Sequence, residues 1–324
     1  MKNAKKAMKL KDIYALAIQM GIANDPRGAE AVKKQLAREK KRYDKLSDKD
    51  KADFDAERLN NPYLDSRMLF GDPEKEIKKV MVGVDIDSAE LLLADRLNEK
   101  GEGIDLVIAH HPLGAGLASL ADVMNLQIGY LASVGVLPNI AEALMGERIG
   151  VVSRSVSSSN HFRAVDSARL LGLPLMCIHT PADNMVTAFL QKKISEKQLE
   201  TLGEFVELLK EIPEYRESGK NNAPARILSG KEDGSLGKVY IDFTGGTSGA
   251  EGNYEQLAKA GISTVVAMHM GEKHLELAKK CYLNVVLAGH ISSDSLGLNI
   301  FLDELEKNGV ETVPVSGLIR IKRS

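Results

Sequence analysis

Short apolar runs rich in β-branched residues alternate with segments of helical spacing from Lys78 onward. The segments SAELLLADRLNEKG and YEQLAKAG have helical spacing and end at glycine, as helices often do. This alternation predicts an α/β fold in which mostly parallel sheets are flanked by helices. One more strand is expected within ARILSG, in the turn-rich stretch after Pro213. The apolar runs are KVMVGVDID, DLVIAHH, LPLMCIHT, KVYIDFTGG, STVVAMHM and NVVLAGH.

The chain before Lys78 has a different pattern. Its start, through LKDIYALAIQMG, has the spacing of an amphipathic helix, and a charge-dense stretch with intermixed lysine and glutamate follows over residues 26–61. Mixed charges at helical spacing favour exposed helices packed on the edge of the fold. A surface for a partner or for self-association is the alternative interpretation of this stretch.

Length and charge limit the number of lobes and the classes of binding partner that the chain can have. A chain of 324 residues is long enough for two lobes with a cleft between them. Its formal net charge of -2 provides no positive field for nucleic acid or anionic lipid. Base stacking also lacks support, since the chain has no tryptophan and only 5% aromatic residues. A nucleic-acid-binding ring is therefore disfavoured.

The cysteines and the apolar segments bear on location. Cys177 and Cys281 lie in apolar runs, which suits reduced core thiols better than a disulfide framework. The start of the chain is basic, but Gln19 interrupts its short apolar segment, so it does not resemble a signal sequence. No stretch reaches the roughly 18 apolar residues that a membrane span needs. We expect a cytoplasmic protein that does not enter a membrane.

Histidines follow the ends of several predicted strands. Five of the seven directly follow or close an apolar run, and the carboxyl ends of parallel strands are where such sheets bind ligands. In LVIAHHPLGAG, His110 and His111 are adjacent and Pro112 ends the strand. Neighbours on an extended chain point in opposite directions, so the pair suits two metal ions, or one ion and one supporting hydrogen bond.

Two further segments supply carboxylates. In MCIHTPADNMV, Asp183 follows His179 by four residues, and in VVLAGHISSDSLG, Asp294 follows His290 by four. We expect Ser292 or Ser293 to cap the helix after His290, with Asp294 in its first turn, where an imidazole and a carboxylate can share one side. The alternative is that Asp294 only favours the positive helix terminus.

The pooled donors predict one or two divalent ions per chain. Imidazole and carboxylate without thiolate indicate Zn, Mn, Fe, Co or Ni. The predicted metal ligands are His110, His111, Asp183, His290 and Asp294.

Other residues are candidates for the surrounding pocket. The loop FTGGTSGAEGN either faces an anion with its backbone N–H groups or is a plain tight turn. His269 and His274 are either acid/base or supporting groups, or surface residues. No catalytic residue can be assigned from the sequence. The candidate pocket residues are His179, Thr180, Gly246, Ser248, His269 and His274.

Taken in order, these motifs resemble those of the Nif-three-like family, also labelled GTP cyclohydrolase I type 2 homologues. The resemblance covers most of the chain and includes LKDIYALA, DSRMLFGDPEKEIKKVMVGVDID, IAHHPL, CIHTPAD, TGGTSG and AGHISSD. It implies a two-lobed α/β protein with paired metal ions in the cleft and ring-shaped homo-oligomers, often hexamers. By motif, it implies that His110 and His290 hold one ion, that His111 and Asp183 hold the other, and that Asp294 bridges them.

The sequence departs from this family at several points, including Ser66, Arg67 and Met68 in place of the family's usual Asn-Val-Gly-like text. Its bridging acid is Asp294, where the family usually has glutamate. The charged stretch at about 26–61 and a long segment at about 114–160 are insertions. We place the first lobe at residues 1–190 and the second at 191–324, with the last segment, from about 285, returning to the metal site.

Two functions follow as hypotheses. Paired ions predict a metal-dependent hydrolase, cyclohydrolase-like or acting on phosphoesters, with an unknown small-molecule substrate. The alternative is a non-catalytic metal carrier or metal-responsive regulatory protein that acts as a homo-oligomer.

Overall fold

The computed structural model describes residues 7–323 and places the predicted apolar runs in two main β-sheets. Within these residues a two-stranded ribbon of β1 and β3 accompanies them. The strands are β1 (Met8–Lys9), β2 (Arg67–Phe70), β3 (Glu76–Ile77), β4 (Lys79–Gly83), β5 (Leu106–Ala109), β6 (Leu175–Cys177), β7 (Arg226–Ser229), β8 (Val239–Asp242), β9 (Thr264–Ala267), β10 (Asn284–Leu287) and β11 (Glu311–Val315).

Helices flank both sheets, and a 3-10 helix covers Ala56–Leu59. Among residues 7–323, no helix is long and apolar enough to cross a membrane. The helices are α1 (Leu10–Ala23), α2 (Ala29–Asp44), α3 (Asp48–Ala52), α4 (Ser88–Glu99), α5 (Gly114–Ala118), α6 (Leu120–Val123), α7 (Asn125–Ser133), α8 (Pro138–Ser157), α9 (Arg163–Leu171), α10 (Thr180–Lys197), α11 (Leu202–Glu211), α12 (Pro213–Lys220), α13 (Asn253–Lys259), α14 (Glu272–Lys280) and α15 (His290–Lys307).

The first sheet has five strands in the order β11-β4-β5-β6-β2. Four of them are parallel, and β2 closes one edge as an antiparallel strand. Side chains from both faces of the central strands are buried: Val80 and Val82 lie in one core cluster, and Met81 and Val107 in another. Burial on both faces explains why these strands are continuous apolar runs in the sequence.

The second sheet has four strands in the order β7-β10-β9-β8. Strands β8, β9 and β10 are parallel, and β7, the strand predicted in ARILSG, is an antiparallel edge. The predicted α/β fold with mostly parallel sheets flanked by helices is therefore confirmed.

Two helices connect the sheets and pack against each other. The chain leaves the first sheet through α10 and returns to it through α15, and β11 then pairs with β4. The crossing is close, because a Cβ added at Gly297 would lie 2.4 Å from the carbonyl oxygen of Ala182. The last strand thus lies in the first sheet, although residues 191–324 were assigned to the second lobe, because strand pairing rather than chain order defines the sheet.

The two segments expected to be insertions are helical. Helix α2 buries Val32 and exposes most of its charged residues, as expected of a solvated helix on the edge of the fold. The segment at 114–160 forms α5 to α8, and its α7 contacts the second sheet: Tyr130 stacks on Tyr240 of β8 with ring centroids 4.7 Å apart. Gln127 donates hydrogen bonds to the carbonyls of Gly245 and Thr247 at 2.8 and 2.6 Å. This insertion therefore holds the glycine-rich loop against the first lobe.

Candidate metal centre

The histidine pair is fixed at the carboxyl end of β5. Backbone hydrogen bonds continue past the strand, because the N–H groups of His110 and His111 donate to the carbonyls of Gly83 and Val84 at 2.9 and 3.0 Å. The two rings nevertheless lie close together, with centroids 5.3 Å apart, rather than pointing in opposite directions. His110 is fully buried, and the His111 side chain is 27% exposed.

The carboxylates come from the helices that follow β6 and β10. Asp183 lies in the first turn of α10, directly after His179. Helix α15 begins at His290 itself, with Gly289 at φ 115° as the residue before it, so Asp294 lies one turn into the helix. The predicted first-turn position of Asp294 is therefore wrong by one turn, which weakens the alternative that this carboxylate serves only the helix terminus.

The predicted serine cap is also absent. Ser292 and Ser293 donate their hydroxyl groups to the carbonyl of Gly289 at 3.3 and 2.6 Å and accept no backbone N–H of the helix. A positive φ favours glycine, so Gly289 makes the sharp turn out of β10 and brings His290 directly into the helix.

The first group of donors contains His111, His290 and Asp294. The Nε2 atoms of His111 and His290 are 3.3 Å apart. Asp294 Oδ2 lies 3.6 Å from His111 Nε2 and 3.3 Å from His290 Nε2. Three donor atoms from a strand end and one helix turn therefore face a common point.

The second group contains His110, Asp183 and the other oxygen of Asp294. His110 Nε2 lies 3.6 Å from Asp183 Oδ1 and 3.5 Å from Asp294 Oδ1. Since Asp294 contributes one oxygen to each group, it is the residue that the two groups share.

His179 lies beside the second group. Its Nε2 is 3.8 Å from Asp183 Oδ2, and its ring forms a third potential donor group with those of His110 and His111. His179 is thus placed to complete the donors around Asp183.

This grouping differs from the one that the family resemblance implies. His111 faces His290, and His110 faces Asp183, the reverse of the implied pairing. The reason is local: the His110 ring is anchored by the Ile178 carbonyl at 2.9 Å, which turns its Nε2 toward α10. The shared position of Asp294 agrees with the implied bridge.

Hydrogen bonds to Nδ1 orient three of the imidazoles. His111 Nδ1 donates to Asp85 Oδ1 at 2.6 Å, and His179 Nδ1 donates to the buried Asp65 Oδ2 at 2.8 Å. With His110 Nδ1 on a carbonyl, all three rings carry the Nδ1 proton and direct Nε2 toward the donor groups. This arrangement is typical of histidines that ligate metal ions.

Asp65 and Asp85 were missed by the sequence reasoning. Asp85 had a signal, because VGVDIDS places it at the same carboxyl edge of the sheet as the histidines. Asp65 precedes the antiparallel edge strand, where no periodicity marks it.

The burial and spacing of the donor groups suit a metal ion. In the described part of the chain, His110 Nε2 and both oxygens of Asp294 are buried without a hydrogen-bond partner, which is costly unless another group satisfies them. Ligands about 2.0 to 2.2 Å from a tetrahedral ion lie about 3.3 to 3.6 Å from one another. The donor separations within the two groups fall in that range, so these residues can hold a metal ion.

Burial and neighbouring charges shift the pKa values of the histidines and Asp183 in opposite directions. Burial opposes ionisation of Asp183 and raises its pKa to about 7 despite the nearby His179 and His110. Burial lowers the pKa of His179, but Asp183 and Asp65 outweigh it and raise the value to about 9. Burial and the neighbouring histidines lower the pKa of His111 to about 4, which keeps its ring neutral for metal binding at neutral pH.

A cavity of about 230 Å³ opens onto the donors. The donors His111, His179, Asp183, His290 and Asp294 line it, and so does Leu120 of the segment at 114–160. His269 lies beside the donors, because its ring centroid is 5.0 Å from that of His290. Further lining residues from the second sheet and its loops are Asp242, Phe243, Thr244, Gly246, Thr247, Ser248, Met268 and His269.

Two predicted pocket residues lie outside this cavity. Thr180 is buried and donates its hydroxyl to Asp65 at 2.6 Å, so it supports His179 instead. His274 Nδ1 is bonded to the Tyr254 hydroxyl at 3.0 Å. The remaining candidates, His179, Gly246, Ser248 and His269, line the cavity, and Asp242 is a lining residue that the sequence reasoning missed.

Several solved structures are similar to this chain, whereas no family model and no curated protein matches it. A NIF3 superfamily protein from Sphaerobacter thermophilus has a TM-score of 0.75 and 24% sequence identity, over 97% of this chain and 100% of that chain. Reduced HcgD from Methanocaldococcus jannaschii has a TM-score of 0.48 and 18% identity, over 76% and 87%. A Bacillus cereus protein related to NIF3 has a TM-score of 0.46 and 12% identity, over 95% and 96%. The chain therefore has the fold of a NIF3 superfamily protein.

Proposed function

We propose that the chain is a hydrolase that uses two divalent metal ions to cleave a small phosphoester. The observation that carries the proposal is the position of Asp294, which is 1% exposed and contributes one oxygen to each of two donor groups. A buried carboxylate between two sets of imidazoles is an expected bridge for paired ions. His111 and His290 would complete one site, and His110, Asp183 and His179 the other.

Paired ions at such a centre supply Lewis-acid stabilisation of charge on a phosphoryl oxygen and lower the pKa of water. The protein contributes orientation, because each of three imidazoles is held by a hydrogen bond to its Nδ1. The Ile178 carbonyl holds His110, Asp85 holds His111 and Asp65 holds His179. The loop with Gly246 and Ser248 also lines the cavity, where its backbone N–H groups would be available to an anion.

The size of the cavity favours a small substrate. Pockets for drug-sized ligands usually measure about 300 to 1,000 Å³, and this cavity measures about 230 Å³. A phosphorylated small molecule fits that space better than a whole nucleoside triphosphate, so we favour the phosphoester class over a cyclohydrolase reaction.

Metal analysis is the first test. We expect about two equivalents of metal in protein purified without chelator, and loss of at least one in His111→Ala. His274→Ala, a histidine variant outside the cavity, serves as the matched control and should keep both. Unchanged metal in His111→Ala would refute the assignment.

Hydrolysis of 4-nitrophenyl phosphate and bis(4-nitrophenyl) phosphate then tests the reaction. We expect turnover that a chelator abolishes and added metal restores. Two bound equivalents without turnover on either ester would instead support a metal carrier or regulatory protein. One observation favours that second candidate: the His290 side chain is 39% exposed at the cavity, which would allow a partner to reach the ion.

The homo-oligomeric ring and the cytoplasmic location stay predictions. Light scattering on the purified protein would measure the oligomeric state directly, and a monomer would contradict the ring.

A further inference from the structure

Asp242 lines the same cavity as the metal donors but belongs to neither donor group. It is the last residue of β8, in register with Ala267 of the neighbouring parallel strand. Residues at the carboxyl ends of strands from both sheets therefore line one cavity. His111, His290 and Asp294 line that cavity together with Asp242.

This carboxylate has no protein partner. Among residues 7–323 its side chain makes neither a hydrogen bond nor an ion pair, although it is only partly exposed. Its chain neighbour Phe243 is buried, and so is Met268, which also lines the cavity. Burial raises the pKa of Asp242 to about 6, and no other group contributes to that shift. A half-buried carboxylate at a cavity that has no protein partner is available to a ligand.

The charges of the cavity indicate what this ligand carries. Of the described residues, three carboxylates line the cavity: Asp183, Asp242 and Asp294. The proposed pair of divalent ions more than neutralises Asp183 and Asp294, and the remaining two positive charges match a phosphate monoester dianion. Asp242 is then the one lining charge without a counterpart, and a positive group on the ligand supplies it.

We propose that Asp242 binds the ammonium group of the substrate, and that the substrate is a small phosphorylated primary amine whose phosphate lies at the metal centre. This inference rests on the proposed function, since the metal ions hold the other end of the ligand. The cavity of about 230 Å³ limits the spacer between phosphate and amine to a few atoms.

A pair of ligands of equal size tests the proposal by binding alone. Phosphoethanolamine and n-propyl phosphate differ in a terminal ammonium against a methyl group. Their dissociation constants would be measured by calorimetry on Zn²⁺-loaded protein dialysed against metal-free buffer. We expect phosphoethanolamine to bind about tenfold more tightly, the effect of one charge-assisted hydrogen bond in a partly exposed site.

Variants assign the preference to its residue. Asp242→Asn keeps the shape and removes the charge, so it should lose the tenfold preference while n-propyl phosphate binds as before and the metal content is unchanged. Glu251→Gln is the matched control, because Glu251 lies on the same lobe, pairs with Lys273 and does not line the cavity. It should keep the preference.

The outcomes separate this inference from the proposed function. Equal binding of the two ligands to the wild-type protein overturns the role of Asp242 and leaves the phosphoester function standing, as does a preference that persists in Asp242→Asn. Absence of binding by both ligands to metal-loaded protein overturns the phosphoester function together with this inference. Loss of metal from Asp242→Asn also overturns the inference, because it would make Asp242 a metal ligand. The wild-type comparison needs no variant to fold.

Discussion

Replacing Asp294 by asparagine should abolish the stabilisation of the protein by metal. Asparagine keeps the volume of the side chain but removes the charge that faces His110 at 3.5 Å and His290 at 3.3 Å. One of its two terminal atoms becomes an amide donor that cannot ligate a cation. Because Asp294 belongs to both donor groups, the one substitution is expected to impair both sites.

The size of the effect follows from linkage. An ion present at about 1,000 times its dissociation constant stabilises the folded state by about 4 kcal/mol. Unfolding entropy for 324 residues is about 0.7 kcal mol⁻¹ K⁻¹, so each ion should raise the Tm by about 6 °C. For Asp294→Asn we expect a rise below about 1 °C.

Differential scanning calorimetry with chelator and with saturating Zn²⁺ measures this difference. The comparison is made within each protein, so any effect of the substitution on the metal-free fold cancels. A metal-induced rise in Asp294→Asn equal to that of the wild type would refute the shared role of this residue.

Three further predictions concern the hydrogen bond that orients His111, the titration of Asp242 and the close contact at Gly297. Asp85→Ala should lower metal affinity about 10-fold to 100-fold in a chelator competition, because His111 loses the acceptor of its Nδ1 proton. The free energy of unfolding should stay within about 0.5 kcal/mol of the wild-type value, since Asp85 is 72% exposed. A change in stability without a change in affinity would contradict this role. The pKa of Asp242 is about 6 in the folded protein and about 3.9 in the unfolded chain, so between these values the folded state holds a proton that the unfolded state has lost. The free energy of unfolding therefore falls as the pH rises from about 4 to about 7. In metal-free urea unfolding, wild type should lose about 1 to 2 kcal/mol relative to Asp242→Asn over that interval, and parallel profiles would contradict it. Gly297→Ala should destabilise the protein by about 1 to 3 kcal/mol or more, because its Cβ would meet the Ala182 carbonyl at 2.4 Å; unchanged stability would show that the two helices can separate without cost.

The fold could be predicted because its strands are buried on both faces. In β4, β5 and β9 nearly every residue is apolar, and such runs separated by helical spacing have few interpretations other than a parallel sheet. The same rule predicts that His110, His111 and His290 each lie at the carboxyl end of a parallel strand. Their convergence also requires the two sheets to meet, because β5 and β10 belong to different sheets.

The finer geometry of the centre could not be predicted from spacing. Which histidine faces which carboxylate depends on the anchor of His110 at the Ile178 carbonyl, a backbone group that no residue type reveals. The start of α15 was misplaced because serines commonly cap helices, whereas here a glycine with positive φ makes the turn.

Asp242 was overlooked for a different reason. In KVYIDFTGG it is a single polar residue at the end of an apolar strand, a position where a side chain often points to solvent. Only the cavity that brings the end of β8 together with the metal donors shows that this carboxylate belongs to the site.

The order in which the chain supplies the metal donors has a consequence for synthesis. His110, His111 and Asp183 leave the ribosome long before His290 and Asp294, because the whole second sheet lies between them in the sequence. The emerging first sheet therefore lacks the carboxylate that the two donor groups share. The proposed two-ion site is complete only after α15 has docked and β11 has added to the first sheet. A full complement of two ions in a preparation would thus report molecules in which the last helix and strand are in place.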